Sequence, residues 1–435
     1  MLIETMNKES KRVLFSYWDG GTGHLTRTMS MAREARERGF EVGFISSEKY
    51  AGWISSDSPD YVIYTVGNRN PKAQPPPYPF PVYSHTFGHA QRLRGLRFDD
   101  TDWLEETVKK EIEVLKEFKP NIVINDYRDT IKMGAEVLGI PIVGITKSTG
   151  NPDGYTFGWW ITPPHDLVLP DCRKSFNEAR KRYGLLPIED EREMFTGNIS
   201  VIPSVKEIDP LIGISENSYY AGLLSHWWRQ EGEFQSIPHN IPKVFSYIGE
   251  KSRPQYGYEL ILSRAIESLP DVGFYIAGSP EKYTYPRLDK PKVEKRVIVR
   301  DYIPARKAIP ECSAILSHGG SGTVLLALSY GVPIICVGPF NSEQLTFFRW
   351  VEKQQAGLII PHSENPLERR KAPDLGEGVE IMGHWESEIS SDQIVTAINE
   401  VTSNPKYSEN AQRLANSIRA LRGEGDVLDL AESLF

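Results

Sequence analysis

The chain has 435 residues, of which 40% are hydrophobic and 25% charged, a globular composition with room for two or three domains of about 150 residues. Its net charge of −8 excludes the basic surface that nucleic-acid binding requires. No apolar run predicts a membrane span or signal peptide, and the three cysteines lack a disulfide or zinc spacing, so we expect a cytoplasmic protein, with peripheral membrane contact left open.

The N-terminal half repeats the strand–helix–strand order of a parallel sheet. Residues 12–17 form an apolar strand, a glycine-rich turn follows at 19–23, and residues 25–38 have helical spacing up to Gly39. Further elements of this half are predicted as strands at 41–46, 121–125, 141–145 and 199–202 and helices at 101–118 and 131–138.

A second α/β half follows a polar linker at residues 229–243. It is predicted to contain strands at 244–248, 272–277, 296–300, 314–317 and 333–337, helices at 258–268, 321–330 and 343–355, and a helical tail at 391–435. The predicted fold class is therefore α/β, with two Rossmann-like lobes at 11–233 and 243–405 and a tail at 406–435 that packs back on the N-terminal lobe. Ligands of such sheets bind at the carboxyl ends of the strands, here in the cleft between the lobes.

The most informative segment is residues 317–344, S-H-G-G-S-G-T-V-L-L-A-L-S-Y-G-V-P-I-I-C-V-G-P-F-N-S-E-Q. A strand ends at Ser317, and three glycines then let the backbone approach a ligand closely. The N-terminus of the next helix, capped by Ser321 or Thr323, predicts a phosphate site that His318 completes. Glycine-rich turns also occur without ligands, and this one matches neither the dinucleotide fingerprint nor the Walker motif.

This segment resembles the donor-binding signature of nucleotide-sugar glycosyltransferases of the GT-B fold. That superfamily includes UDP-glycosyltransferases and the N-acetylglucosaminyltransferase of peptidoglycan synthesis. The shared pattern is H-G-G-x-G-T, A-L-x-x-G-V-P, and an acidic residue followed by Gln. The resemblance implies that the donor diphosphate is held by His318, Gly320, Ser321, Gly322, Thr323 and Gly249.

The same resemblance assigns the rest of the donor. Glu343 and Gln344 are expected to contact the sugar, and the backbone of Tyr302 or Ile303 to contact the nucleobase. Leu326 stands where many members hold the ribose with Glu, and the Trp and Gln of plant members are absent. The base therefore stays open, with uracil or thymine as the default.

Gly21, Thr22, Gly23 and His24 resemble the acceptor-side loop of this superfamily. The resemblance implies that His24 is the general base and that Asp126, after the strand at 121–125, orients it. From the residues alone, His24 could equally be an ordinary turn residue and Asp126 a helix cap. The implied activity is inverting, metal-independent sugar transfer of the hexosyltransferase type, through an oxocarbenium-like transition state.

Other chemistry-bearing residues are given structural interpretations. Asp100-Thr101-Asp102 spells the D-x-D metal motif of another glycosyltransferase fold, but it opens a helix and is interpreted as a cap. We expect no metal and no cofactor besides the nucleotide-sugar co-substrate. The aromatic residues Trp159, Trp160, Trp227 and Trp228 are expected to pack in the core or between the lobes, with a sugar- or lipid-binding role at the acceptor site as the alternative. Residues 361–383 are expected to form a mobile insertion without an assigned function.

Two alternatives remain open. Residues 21–27 also resemble G-x-G-H-x-x-R of a nucleotide-sugar hydrolase of nonulosonic acid biosynthesis, in which His24 would activate water. Glu343, Gln344 and the long middle segment favour transfer to an acceptor, whether a small molecule, a saccharide or a lipid. A non-catalytic nucleotide-sugar-binding protein is disfavoured because both His24 and Asp126 are present.

Overall fold

The computed structural model describes residues 11–67, 70–71, 73, 82–86, 88, 92–93, 97, 99–154, 164–213, 216–224, 234–238, 240–248, 257–278 and 295–435. In the N-terminal lobe these residues form a seven-stranded sheet of order β3-β2-β1-β5-β6-β7-β8, parallel throughout. The elements of this half are β1 (Arg12–Tyr17), α1 (Thr22–Glu37), β2 (Glu41–Ser46), α2 (Glu48–Asp57), β3 (Val62–Thr65), β4 (Tyr83–Ser84), α3 (Thr101–Phe118), β5 (Ile122–Asp126), α4 (Ile131–Leu138), β6 (Ile142–Ile145), α5 (Arg173–Arg182), β7 (Ile199–Ile202) and β8 (Ser218–Tyr220).

The C-terminal lobe contains a parallel six-stranded sheet of order β11-β10-β9-β12-β13-β14. Three helices end the chain. The elements of this half are β9 (Lys243–Tyr247), α6 (Tyr258–Glu267), β10 (Gly273–Ala277), β11 (Val297–Arg300), α7 (Ala305–Ala308), β12 (Ala314–Ser317), α8 (Ser321–Ser329), β13 (Ile334–Val337), α9 (Ser342–Lys353), β14 (Gly357–Ile360), β15 (Glu368–Lys371), β16 (Glu380–His384), α10 (Ser391–Ser403), α11 (Pro405–Arg419) and α12 (Glu424–Glu432).

The central strands are buried on both faces, which explains their unbroken apolar sequences. All five residues of β5 and all four of β12 are buried. Helix α3 covers the sheet with an apolar stripe, and its N-cap Asp100 accepts a hydrogen bond from the backbone N–H of Trp103 at 3.1 Å. The predicted α/β class with two parallel sheets is confirmed, and Asp100 caps the helix as interpreted.

A small antiparallel sheet connects the two lobes. Strands β15 and β16 form a hairpin of the C-terminal half, and β16 also pairs with β4 of the N-terminal half. Behind this hairpin, Leu375 and Val379 share an apolar cluster with Phe176 of α5. Residues 361–383 were expected to form a mobile insertion, but the hairpin of β15 and β16 in this segment pairs and packs with the N-terminal lobe and so joins the two lobes.

The helical tail divides between the lobes. Helix α11 packs on the C-terminal lobe, where Leu414 and Ile418 join the cluster around α8. Helix α12 instead packs against α1, with Leu428 in the cluster that contains Met29. Ion pairs from Arg38 to Asp429 and Glu432 border this contact. The last helix therefore completes the N-terminal lobe.

We expect Leu428→Ala to destabilise the N-terminal lobe by about 2–5 kcal/mol, because it leaves a cavity under a side chain with no exposed surface. The measurement is the free energy of unfolding in urea. Leu186→Ala is the matched control, since Leu186 is 81% exposed and its truncation should cost less than about 0.5 kcal/mol. Equal effects of the two substitutions would show that α12 is not docked.

Candidate functional site

A cleft of about 560 Å³ lies where the two lobes face each other. The N-terminal lobe contributes Trp18, His24 and Tyr127 to its lining, all from segments that follow the carboxyl ends of β1 and β5. The C-terminal lobe contributes Ser342 and Glu343 from the start of α9. The cleft is therefore at the carboxyl edge of the N-terminal sheet, where ligands of parallel sheets bind.

His24 lies in the first turn of α1, which begins at Thr22 rather than at residue 25 as predicted. Gly21 is the N-cap, so Thr22 and Gly23 of the expected acceptor-side loop are already helical. The indole ring of Trp18 packs against the turn before them, so closely that a Cβ added at Gly20 would lie 1.9 Å from the ring. That ring also meets the His24 ring edge-on, with 5.2 Å between the ring centroids. A side chain at residue 20 would therefore clash with the Trp18 ring.

His24 and Asp126 are in direct contact, as the resemblance implies. The Nδ1 atom of His24 lies 2.7 Å from Oδ1 of Asp126, the last residue of β5. An ionised carboxylate can only accept hydrogen bonds, so we assign a proton to Nδ1. The lone pair of a neutral His24 then belongs to Nε2, which is the arrangement that a general base needs.

Arg27 completes this cluster from the next turn of α1. Its Nε and Nη2 atoms donate to the two carboxylate oxygens of Asp126, each at 2.8 Å, and its Nη2 lies 3.0 Å from Nδ1 of His24. Burial alone would raise the pKa of Asp126, but the charges of Arg27 and His24 lower it to about 2. Asp126 is therefore ionised at neutral pH although it has no exposed surface.

Sequence reasoning used Arg27 only as part of the hydrolase pattern G-x-G-H-x-x-R. The spacing of Arg27 and His24 in the sequence could have indicated that both contact Asp126. Residues three apart on a helix lie on the same face, so the two side chains of α1 approach Asp126 together. Tyr127 had no such signal. Its φ of 63° is in the left-handed region, and its ring centroid lies 5.5 Å from that of His24.

The glycine loop after β12 has the geometry of an anion site. Gly319 has a φ of 88°, and a Cβ there would lie 3.0 Å from Sγ of Cys336. Helix α8 starts at Ser321 with Gly320 as the N-cap and no side-chain cap hydrogen bond. The prediction that Ser321 or Thr323 caps this helix is therefore wrong. Among the described residues, no side chain caps the first N–H groups of this helix, and one of these groups belongs to Gly322.

The remaining residues predicted for the donor site lie near the glycine loop, in the core of the lobe, or outside the described residues. The His318 ring meets the Tyr247 ring edge-on at 6.1 Å between centroids, beside the loop. Ile303 is buried in the core of the lobe, so only its backbone could contact a base, whereas Tyr302 is half-buried. Gly249 and the four tryptophans at 159, 160, 227 and 228 lie outside the described residues.

Glu343 lines the cleft, whereas Gln344 contacts the backbone near the glycine loop. The Oε1 atom of Gln344 accepts a hydrogen bond from the backbone N–H of Phe340 at 3.1 Å, and its Cβ lies 3.6 Å from the position of a Cβ at Gly319. Glu343 forms an ion pair with Lys147, which follows β6 of the other lobe. Burial acts to raise the pKa of Glu343, but Lys147, His24 and Arg27 together lower it. Lys147 was not predicted, and nothing in its local sequence marks it.

The architecture of two Rossmann-like lobes around this cleft is that of the GT-B class. The family model of the erythromycin biosynthesis protein CIII-like C-terminal domain matches residues 286–373. A PGL/p-HBAD biosynthesis glycosyltransferase of Mycobacterium tuberculosis is 21% identical over 94% of this chain and 88% of its own length. No helix among the described residues is long and apolar enough to cross a membrane.

Solved structures show the same fold. The glycosyltransferase of kitacinnamycin superposes with a TM-score of 0.70 at 16% identity, covering 98% of this chain and 99% of its own. The spinosyn rhamnosyltransferase in complex with thymidine diphosphate gives 0.63 at 16% identity, covering 97% and 100%. The same enzyme is also known in complex with spinosyn aglycone. Together, these similarities identify the chain as a glycosyltransferase of the GT-B type, and they confirm the predicted relationship to nucleotide-sugar glycosyltransferases.

The lowered pKa of Asp126 predicts a pH-dependent contribution to stability. The folded-state pKa of about 2 lies below the ordinary value of 3.8, so this carboxylate stabilises the fold above pH 3.8 and the contribution is lost as the pH falls toward 2. The shift corresponds to about 2 kcal/mol. We expect the wild type to be more stable than Asp126→Asn at pH 5, with a gap that narrows by about this amount at pH 2.

Urea unfolding at several pH values measures this gap. Asp60→Asn is the control, because Asp60 is an exposed carboxylate outside the cleft. Its gap to the wild type should stay constant over the same range. A gap for Asp126→Asn that is equally independent of pH would contradict the ion pairs described for Asp126.

Proposed function

We propose that the protein is an inverting, metal-independent glycosyltransferase that moves a sugar from a nucleoside diphosphate sugar to an acceptor hydroxyl or other nucleophile. The observation that carries this proposal is the contact of 2.7 Å between His24 and the buried carboxylate of Asp126, at the wall of a cleft that also contains Glu343. A base and a donor-side carboxylate on opposite lobes suit the transfer of a sugar across the cleft.

In this mechanism His24 Nε2 takes the proton of the acceptor hydroxyl while the acceptor oxygen bonds to C1 of the donor sugar. The bond between C1 and the diphosphate oxygen breaks in the same displacement, which inverts the configuration at C1. Asp126 stabilises the imidazolium that forms. The leaving diphosphate keeps the bonding electrons, and the N–H groups that open α8, together with His318, stabilise its charge.

UDP or dTDP is the proposed nucleotide of the donor. The structural relative in complex with thymidine diphosphate supports a nucleoside diphosphate and favours thymine among the two default bases. The complex of the same relative with spinosyn aglycone supports an acceptor that enters the interlobe cleft as a small molecule. No further cofactor has a part in the mechanism.

Hydrolysis of the nucleotide sugar is the second candidate. It is favoured by one observation, the engagement of Arg27, which completes the pattern G-x-G-H-x-x-R around the His24–Asp126 pair. In that reaction water would replace the acceptor, and His24 would take its proton. Sugar release at the full rate without any acceptor would support hydrolysis; release that depends on an acceptor would support transfer.

The donor site is tested by thermal unfolding against a panel of nucleoside diphosphates. A ligand at a hundred times its dissociation constant stabilises the folded state by about 2.7 kcal/mol, so we expect one diphosphate to raise Tm. His318→Ala should weaken this shift because it removes a hydrogen-bond donor at the phosphate loop. His165→Ala, on an exposed site of the N-terminal lobe, should leave it unchanged. Absence of any shift with the wild type would contradict the donor site.

The base is tested by turnover. We expect His24→Ala to lower kcat by about 10²- to 10⁴-fold, the usual contribution of general base catalysis, while the diphosphate still raises Tm. Asp126→Asn should lower kcat as well, because Nδ1 of His24 loses its charged acceptor. Rates are measured with the donor that the thermal panel identifies, and the anomeric configuration of the product is read by NMR. Unchanged turnover in both variants, or retention at C1, would contradict the assignment.

A further inference from the structure

An ion pair crosses the cleft between the lobes. Lys147 follows the carboxyl end of β6 in the N-terminal lobe, and its ammonium contacts Oε1 of Glu343 at the start of α9 in the C-terminal lobe. The Lys147 side chain is 12% exposed, whereas that of Glu343 is 40% exposed. The ammonium is thus largely withdrawn from water, while the carboxylate still faces the cleft.

The position of Lys147 is fixed by the backbone around it. Its N–H donates to the Tyr127 hydroxyl at 3.0 Å, and the N–H of Ser148 donates to Oδ1 of Asp209 at 3.1 Å. Asp209 is fully buried, and burial raises its pKa to about 6 although Ser148 and Lys147 act to lower it. Since an ammonium removed from water requires a counter-charge, Glu343 is held where Lys147 places it.

Glu343 keeps one oxygen available. Lys147 occupies Oε1, and within the described part of the chain Oε2 has no hydrogen-bond partner. The pKa of Glu343 is lowered, because Lys147, His24 and Arg27 outweigh the effect of burial, so the carboxylate stays ionised. An ionised carboxylate with one fixed and one open oxygen accepts hydrogen bonds from hydroxyl groups in a defined direction.

We propose that Lys147 is a positioning residue that determines specificity for the donor sugar. It fixes Glu343 so that Oε2 accepts a hydrogen bond from a sugar hydroxyl, and it makes this contact depend on both lobes. The inference rests on the proposed function, in which Glu343 contacts the sugar. Because Lys147 acts through Glu343, it affects the recognition of the sugar and not that of the diphosphate, which binds at the loop before α8.

The test compares Lys147→Met with Lys132→Met. Methionine keeps the length of the side chain and removes the charge. Lys132 is a matched control, because its side chain is 14% exposed and pairs with Glu136 on α4, outside the cleft lining. For each variant we would measure the Kd of the free nucleoside diphosphate and kcat/KM for the matching nucleotide sugar.

We expect Lys147→Met to lower kcat/KM for the nucleotide sugar by about 10- to 100-fold, the effect of a small misplacement of a binding group. The Kd of the free diphosphate should stay within about twofold of the wild-type value, because the substitution removes no contact between the protein and the diphosphate. Lys132→Met should change neither quantity. In a background with Glu343→Gln, Lys147→Met should cause little further loss, because the two residues act together.

Equal losses in diphosphate and sugar binding, or equal losses in the two lysine variants, would overturn the inference, since a general structural effect would then explain them. Full additivity with Glu343→Gln would overturn it as well. A wild-type protein that binds no nucleoside diphosphate overturns the proposed function itself, and this separates the two failures.

Discussion

The site depends on the burial of Asp126. A carboxylate without exposed surface loses its hydration, at a cost of several kcal/mol, unless cations replace the water. Both side chains that bind its carboxylate, His24 and the cationic Arg27, come from α1, and the backbone N–H of Trp18 donates to the carbonyl of Asp126 at 2.9 Å. Since β1 pairs with β5 so that Tyr17 lies opposite Asp126, the chain that leaves β1 reaches the carboxylate at once. The proposed base is therefore placed by a requirement of folding.

The second constraint is the connection of the lobes. Strands β4 and β16 pair across the boundary, and the apolar side chains behind the hairpin pack into the N-terminal lobe. On another side α12 returns from the end of the C-terminal lobe to α1. These two attachments join the lobes, and the Lys147–Glu343 ion pair is a further contact between them.

How far the sequence predicts this structure depends on how local the signals are. Buried strands such as 199–202 and 314–317 were placed correctly, since short apolar runs between turn residues carry the whole signal. The start of α1 was missed because Gly23 has the composition of a turn although it is helical. Strand β15 reads E-R-R-K, and all four of its residues are exposed, so its sequence has no alternation of apolar and polar residues. Arg27 could have been found from its spacing to His24, but the proposed role of Lys147 depends on a partner 196 residues away in the sequence.

The charges around His24 explain why the proposed base suits its task. Arg27 balances Asp126 on one side, and Lys147 balances Glu343 on the other, so each acid has a cation within contact distance. Burial acts to raise the pKa of Glu343, and His24 and Arg27 join Lys147 in lowering it, so residues of both pairs act on this carboxylate. In the proposed mechanism, this balanced cluster gains a positive charge when the acceptor proton moves to His24, while the departing diphosphate gains a negative charge. The positive charge on His24 would then attract the departing diphosphate across the cleft. Preorganised charges of this kind stabilise a transition state without reorganisation of the site.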